Sequence, residues 1–195
     1  LTDPSFVVHA GPRAAAWVRE RGIKPQNISC IPAAAGGLKG LALIPMAQLL
    51  FGDGLRDAQP ALIGASIGAW RMFAAAQFAP VAALQRLSDG YVAQTCPRRP
   101  MPAYVSDECR ELAVATLGGT RLPPLRAGAK VNMIAARVRG VLEGDRSRAA
   151  FARAALANTL GRERLAAHLQ RVIFTAATCG FRVPRSRLLA SRACR

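Results

Sequence analysis

The chain has 195 residues, 51% of them apolar, and a formal net charge of +16. That is enough chain for one domain with a sizeable core, and no stretch reaches the roughly 18 uninterrupted apolar residues of a membrane span. The first 95 residues hold 8 Lys/Arg against 5 Asp/Glu and the remainder 19 against 6, but 24 of the 27 basic residues are Arg, a bias that GC-rich coding DNA produces as readily as a binding surface, so no nucleic-acid partner is expected.

In chain order, Ser5–His9 is a short β-like run, and Gly11-Pro12 opens a helical pattern that lasts to about Arg21 and closes at Gly22. Asn27 to Ala34 reads as a second strand, ending in Ala35-Gly36-Gly37. The run 38–50 carries Leu, Ile and Met on most faces and predicts a buried helix, with Pro45 inside it as a flaw because proline removes a hydrogen bond and kinks the axis. Gly52-Asp53-Gly54 ends it. Pro60 to Ala65 predicts a third strand and Ile67 to Phe78 a helix. Pro80 to about Thr95 predicts another, with Val81, Leu84, Leu87 and Val92 at helical spacing. Cys96 to Pro102 has three prolines in seven residues and reads as a loop. Ser106 then caps a helix to Leu117, with Asp107 and Glu108 in its first turn. Beyond a loop over Gly118–Gly128 come a strand at Val131–Val138, a helix from a Ser147 cap to Leu160, a helix at Arg164–Gln170 and a strand at Val172–Ala176. Strands alternating with helices predict an α/β fold with a mainly parallel sheet. Residues 1–178 form the expected domain. Residues 179–195 contain no acid and no period, and read as a basic tail, either disordered or out of frame.

The five cysteines, at 30, 96, 109, 179 and 194, form no Cys-x-x-Cys pair. Their spacing fits neither a disulfide framework nor a zinc site. Reduced, mostly buried thiols in a cytoplasmic protein are expected, with no metal and no cofactor. No secretory leader is expected either.

Two glycine turns carry the chemistry. Gly64-Ala65-Ser66-Ile67-Gly68 matches the G-x-S-x-G nucleophile elbow, between a predicted strand and a predicted helix. Its turn is too sharp for side chains at Gly64 and Gly68, and the following helix aims its first amides at the reacting centre. The competing reading is a tight strand-to-helix turn in which Ser66 is an ordinary N-cap. Ala35-Gly36-Gly37-Leu38-Lys39-Gly40 also follows a strand and opens a helix, one βαβ step earlier. Such glycines let successive backbone N–H groups point at an anion. A Walker loop is excluded because Leu41 follows Gly40, and a dinucleotide loop needs different glycine spacing, even with Asp57 as its acid.

This pair of turns resembles the patatin-like phospholipase family, which joins G-G-G-x-[RK]-G to a G-x-S-x-G elbow on the next strand. Here the motifs read A-G-G-L-K-G and G-A-S-I-G, so Ala35 replaces the first glycine and Lys39 takes the basic position. The resemblance covers about residues 5–95 and, by element order, extends to about 176. It implies a three-layer α/β/α fold and hydrolysis of lipid acyl esters by a Ser–Asp dyad without histidine or metal. Ser66 would be the nucleophile, the amides of Gly36, Gly37 and Leu38 the oxyanion hole, and Lys39 and Gly40 parts of the supporting turn. A lipid substrate also implies peripheral contact with an anionic membrane.

The family's base is an Asp in D-G-[GA], far downstream of the serine. Asp53-Gly54 precedes Ser66, Asp89-Gly90 is followed by Tyr91, and neither Asp107 nor Asp145 is followed by glycine. Asp89 and Asp145 are the remaining candidates, and the expectation is that the motif lies in a missing C-terminal part, leaving the chain nearly inactive. Two other readings stay open. One is an α/β-hydrolase triad of Ser66, an Asp at 89, 107 or 145, and His168; His9 precedes the serine and suits the role poorly. The other is a non-enzymatic module whose Arg residues at 146, 148, 153, 162, 164 and 171 meet anionic lipid or nucleic acid. Trp70, Met46, Met72 and Phe73 are expected in the core rather than in an acyl pocket.

Overall fold

The computed structural model describes residues 9–55, 58–95, 97, 102–119, 125–139 and 148–177. Helix α1 (Pro12–Arg21) starts on a proline, whose missing N–H is not needed in a first turn, and stops at Gly22 with φ 70. Strand β1 (Cys30–Ala33) is shorter than predicted, because Pro25–Asn27 first close a 3-10 turn. Pro32 is tolerated within it since, among the described residues, β1 is an edge strand with a side that needs no donor.

The run 38–50 is not one buried helix. Gly37–Leu43 is wound as a 3-10 helix, α2 (Ile44–Leu49) is α-helical, and Leu50–Gly54 is a π turn. The winding changes next to Pro45, which thereby falls in the first turn of α2, where no N–H is required. Ile44, Ala47 and Phe51 face the core, whereas Leu38, Leu43, Met46, Leu49 and Leu50 face solvent. A segment apolar on every side has more apolar surface than one helix contact can cover, so the expectation of burial fails here, and with it the core position expected for Met46.

Strand β2 (Ala61–Ala65), helix α3 (Ile67–Ala75) and helix α4 (Pro80–Val92) follow in the predicted order. Helix α5 spans Pro102–Thr116, so Ser106 lies inside it rather than at its cap. Asp107, expected in its first turn, instead pairs with Arg110 one turn on. After β3 (Lys130–Val138) come α6 (Arg148–Thr159) and α7 (Arg162–Ala167). Strand β4 (Leu169–Ala177) absorbs Leu169 and Gln170, predicted as helix, because its pairing with β3 begins at Leu169 opposite Val138. Ser5–Val8, most of the proline-rich loop, the Ser147 cap and the tail 179–195 lie outside the described residues.

The four strands stand in the order β1-β2-β3-β4, with β1, β2 and β3 mutually parallel and β4 antiparallel to β3. The protein is therefore α/β with a mainly parallel sheet. Register puts Ile31 and Ala33, Leu62 and Gly64, and Val131 and Met133 on one face. That face packs on α3, where Leu62 and Val131 meet Met72, Ala74 and Ala75. Helix α4 adds Ala83, Leu84 and Leu87, and α5 adds Leu112. On the opposite face Ile63, Ala65, Asn132 and Ile134 are half-buried.

A largely buried polar knot ties the turn after α3 to α4 and α5. Gln77 Nε2 donates to the Thr116 carbonyl (3.2 Å), Arg86 Nη2 donates to the same carbonyl (3.2 Å), and Thr116 Oγ1 donates to the Leu112 carbonyl (2.8 Å). Two thiols depart from the expected burial, since Cys30 and Cys109 are both exposed.

Candidate functional site

Ser66 sits between the last residue of β2 and the first of α3 with φ 53 and ψ −132. Among the described residues it alone combines a side chain with positive φ. Such a conformation costs about 1–3 kcal/mol and persists only where its surroundings enforce it. Here two glycines do so. A Cβ on Gly64 would overlap the Gly68 carbonyl, and a Cβ on Gly68 would overlap the carbonyls of Ala33 and Ala34 at the end of β1. Strand, helix and neighbouring strand therefore meet backbone to backbone, and the bend between them has to be sharp.

Ser66 is exposed, and its side chain makes no cap hydrogen bond. An N-cap serine adopts an extended backbone and accepts an amide two or three residues on; Ser66 does neither. Only its carbonyl serves the helix, accepting from Ala69 N at 2.8 Å. The hydroxyl stands at the start of α3, free for other chemistry.

The second turn lies beside the first. Ala33 pairs with Gly64 in parallel register, so the chain leaves β1 and β2 at the same height, on strands about 4.8 Å apart. Gly36, Gly37, Leu38 and Lys39 are exposed there. Gly37 has φ 54, a conformation that glycine adopts without strain, and no side chain caps the 3-10 helix that it opens. The first amides of that helix are thus left as unclaimed donors. Lys39 makes no ion pair with a described residue and points to solvent.

Gly40 and Arg71 hold the two turns together. Gly40 is buried, and a Cβ on it would come within 2.5 Å of Ile67 Cγ2, on the residue after Ser66. Arg71, one turn further along α3, is only 5% exposed and donates from Nη1 to the Gly40 carbonyl at 2.9 Å. Its Nε has no partner, and burial pushes its pKa below the usual arginine value. A cation kept in so apolar a place fixes the glycine turn to the elbow helix through a charge-assisted bond. Sequence reading passed over Arg71. The available signal was a lone charge within the otherwise apolar stretch 67–75, on the helix side that also carries Gly68.

Among the described residues, no candidate base is hydrogen-bonded to this arrangement. Asp89 is exposed on α4, where it accepts from Gln85 Nε2 at 2.8 Å, and Gln85 in turn accepts from Gln48 of α2. No hydrogen bond among the described residues joins it to Ser66. Asp145 lies outside the described residues. His168 is not inside a helix but caps α7 just before β4. Ala65 is level with Ile134, whereas Leu169 is level with Val138, four residues or about 13 Å further along β3. That offset exceeds the reach of an imidazole. Trp70 is half-buried against the core and Met72 is within it, as expected.

Comparison with family models, with curated proteins and with solved structures returns no match. Among the described residues, no helix is long and apolar enough to cross a membrane.

Proposed function

We propose that this chain carries the nucleophile and oxyanion hole of a patatin-like lipid acyl hydrolase. Ser66 attacks the ester carbonyl, and the amides of Gly36, Gly37 and Leu38 receive the negative charge that develops on its oxygen, each donor being worth about 3 kcal/mol of barrier where such holes are dissected. The base is an aspartate of the family's D-G-[GA] motif, which this sequence does not hold, so Asp89 and Asp145 are the remaining candidates and turnover by this chain is expected to be low; the three-layer patatin-like architecture belongs to the same proposal. The observation that carries the reading is the backbone of Ser66: a strained, exposed serine between strand and helix, unused as a cap, beside a glycine turn that leaves the adjacent strand at the same height.

The exposed surface next to this turn supports a lipid substrate. Leu38 is 70% and Leu49 71% exposed, and Leu43 and Met46 are exposed between them. A patch of this kind, beside a reactive serine on a protein of net charge +16, suits contact with an anionic lipid interface. Reaction with a long-chain alkyl fluorophosphonate, read by peptide mass spectrometry, is the direct test. Modification at Ser66, absent in Ser66→Ala, is the expected result. Modification confined to other residues, or none at all, refutes the reading. Loss of labelling in Asp89→Asn or in Asp145→Asn then identifies the base.

A further inference from the structure

A concave site lies at the other end of α3. It is an open groove of about 780 Å³, within the size range of small-molecule sites. Phe51, Phe78, Pro80 and Val81 supply its apolar wall, and Arg126 supplies a cation. Phe78 is 77% exposed in the turn between α3 and α4. The groove belongs to the edge of the sheet where β3 begins, whereas Ser66 belongs to the edge where β2 ends. The nine residues of α3 separate the two by about 13 Å.

Arg126 is built into this wall. Its backbone N–H donates to the Ala76 carbonyl at 2.9 Å, which fixes the residue against the end of α3. Its guanidinium lies over the Phe51 ring, 5.9 Å from the centroid. Its Nε is shielded from solvent without a hydrogen-bond partner, and no carboxylate of a described residue pairs with it. Gln48 and Gln85 are the other polar side chains in the groove, and neither brings a negative charge. An apolar channel with a guanidinium that no described carboxylate pairs with complements a molecule with an aliphatic chain and a single anionic head.

We propose that this groove binds an alkyl carboxylate, with the chain against Phe51, Phe78 and Val81 and the carboxylate on Arg126. The carboxylate supplies the charge that the wall lacks, and guanidinium and carboxylate match in geometry. The site is separate from Ser66 and stands whether or not Ser66 is a nucleophile.

Isothermal titration of the intact chain with decanoate, decanol and decyltrimethylammonium, all below their micelle concentrations, tests this without any substitution. Decanoate is expected to bind at least tenfold more tightly than either uncharged or cationic analogue. Arg126→Gln should remove that preference, the exposed and hence structurally tolerant Phe78→Ala should weaken decanoate several-fold, and Ser66→Ala should leave binding unchanged. Equal affinity for decanoate and decanol, or full decanoate binding in both Arg126→Gln and Phe78→Ala, overturns the proposal. So does loss of binding in Ser66→Ala, which would move the ligand to the other end of the helix.

Discussion

Ser66 is where local conformation and proposed chemistry conflict most openly. A serine at φ 53 is held against its own preference, and Ser66→Gly removes the strain while adding backbone entropy to the unfolded chain. The balance is expected to stabilise the protein by about 1 kcal/mol, measured as a higher urea midpoint with an unchanged slope, at the cost of all labelling by the fluorophosphonate. A lower midpoint would mean that the serine hydroxyl contributes to the fold after all. Gly68→Ala works in the opposite direction. Its Cβ would enter the carbonyls of Ala33 and Ala34, and since both contacts are backbone there is no side chain to give way. A loss of about 3 kcal/mol or more is expected, on the upper side of ordinary overpacking, with β1 pushed away from α3. The same chemical denaturation series reads it.

The helices show where apolar periodicity was sufficient evidence and where it was not. Helix α4 was readable because Leu84 and Leu87 recur at helical spacing and a proline opens it. The junction of α3, α4 and α5 was not, because Gln77, Arg86 and Thr116 look like ordinary surface residues until three helix ends enclose them. Gln77→Ala leaves the Thr116 carbonyl with one donor fewer in a buried place and is expected to cost about 1–3 kcal/mol, whereas Gln48→Ala, at a half-buried position whose partners stay within reach of water, should stay within about 0.5 kcal/mol; paired urea melts give the comparison. The run 38–50 departs from its expected single buried helix for a different reason. Its composition calls for burial, but its three windings give the core only one side. The leucines left outside furnish a prediction of their own. Leu38→Ser with Leu49→Ser should lower binding to phosphatidylglycerol vesicles about tenfold or more without altering the melting temperature. Binding by the unsubstituted chain should weaken between 0.05 and 0.5 M salt if its positive charge assists, because the Debye length falls from above about 10 Å to below 8 Å. Cosedimentation at the two salt levels checks both points.

Across the molecule, the two proposed sites stand at opposite ends of one sheet. The bend at Ser66 and the glycine turn share the edge at which β1 and β2 end, the usual place for ligand chemistry in parallel sheets. The groove beside Arg126 occupies the edge at which β3 begins. Much of the candidate site around Ser66 was legible in the order of residues, because a reverse of direction between strand and helix depends largely on short-range sterics: Gly64 marks a position whose Cβ would enter the Gly68 carbonyl, and Gly37 one whose positive φ glycine adopts without strain, whereas the need for Gly68 comes from Ala33 and Ala34, far away in the chain. The parallel pairing of β1, β2 and β3 was legible too, from strands separated by helices. Other features arise from contacts between residues far apart in the chain, on which no local pattern reports. Arg71 meets Gly40, and Arg126 meets Phe51. Strand β4 takes in Leu169 and Gln170 because the nine-residue ladder with β3 outweighs their helical preference. Local steric rules thus dictated the two bends, and long-range packing chose what locks them and which charges are buried beside them.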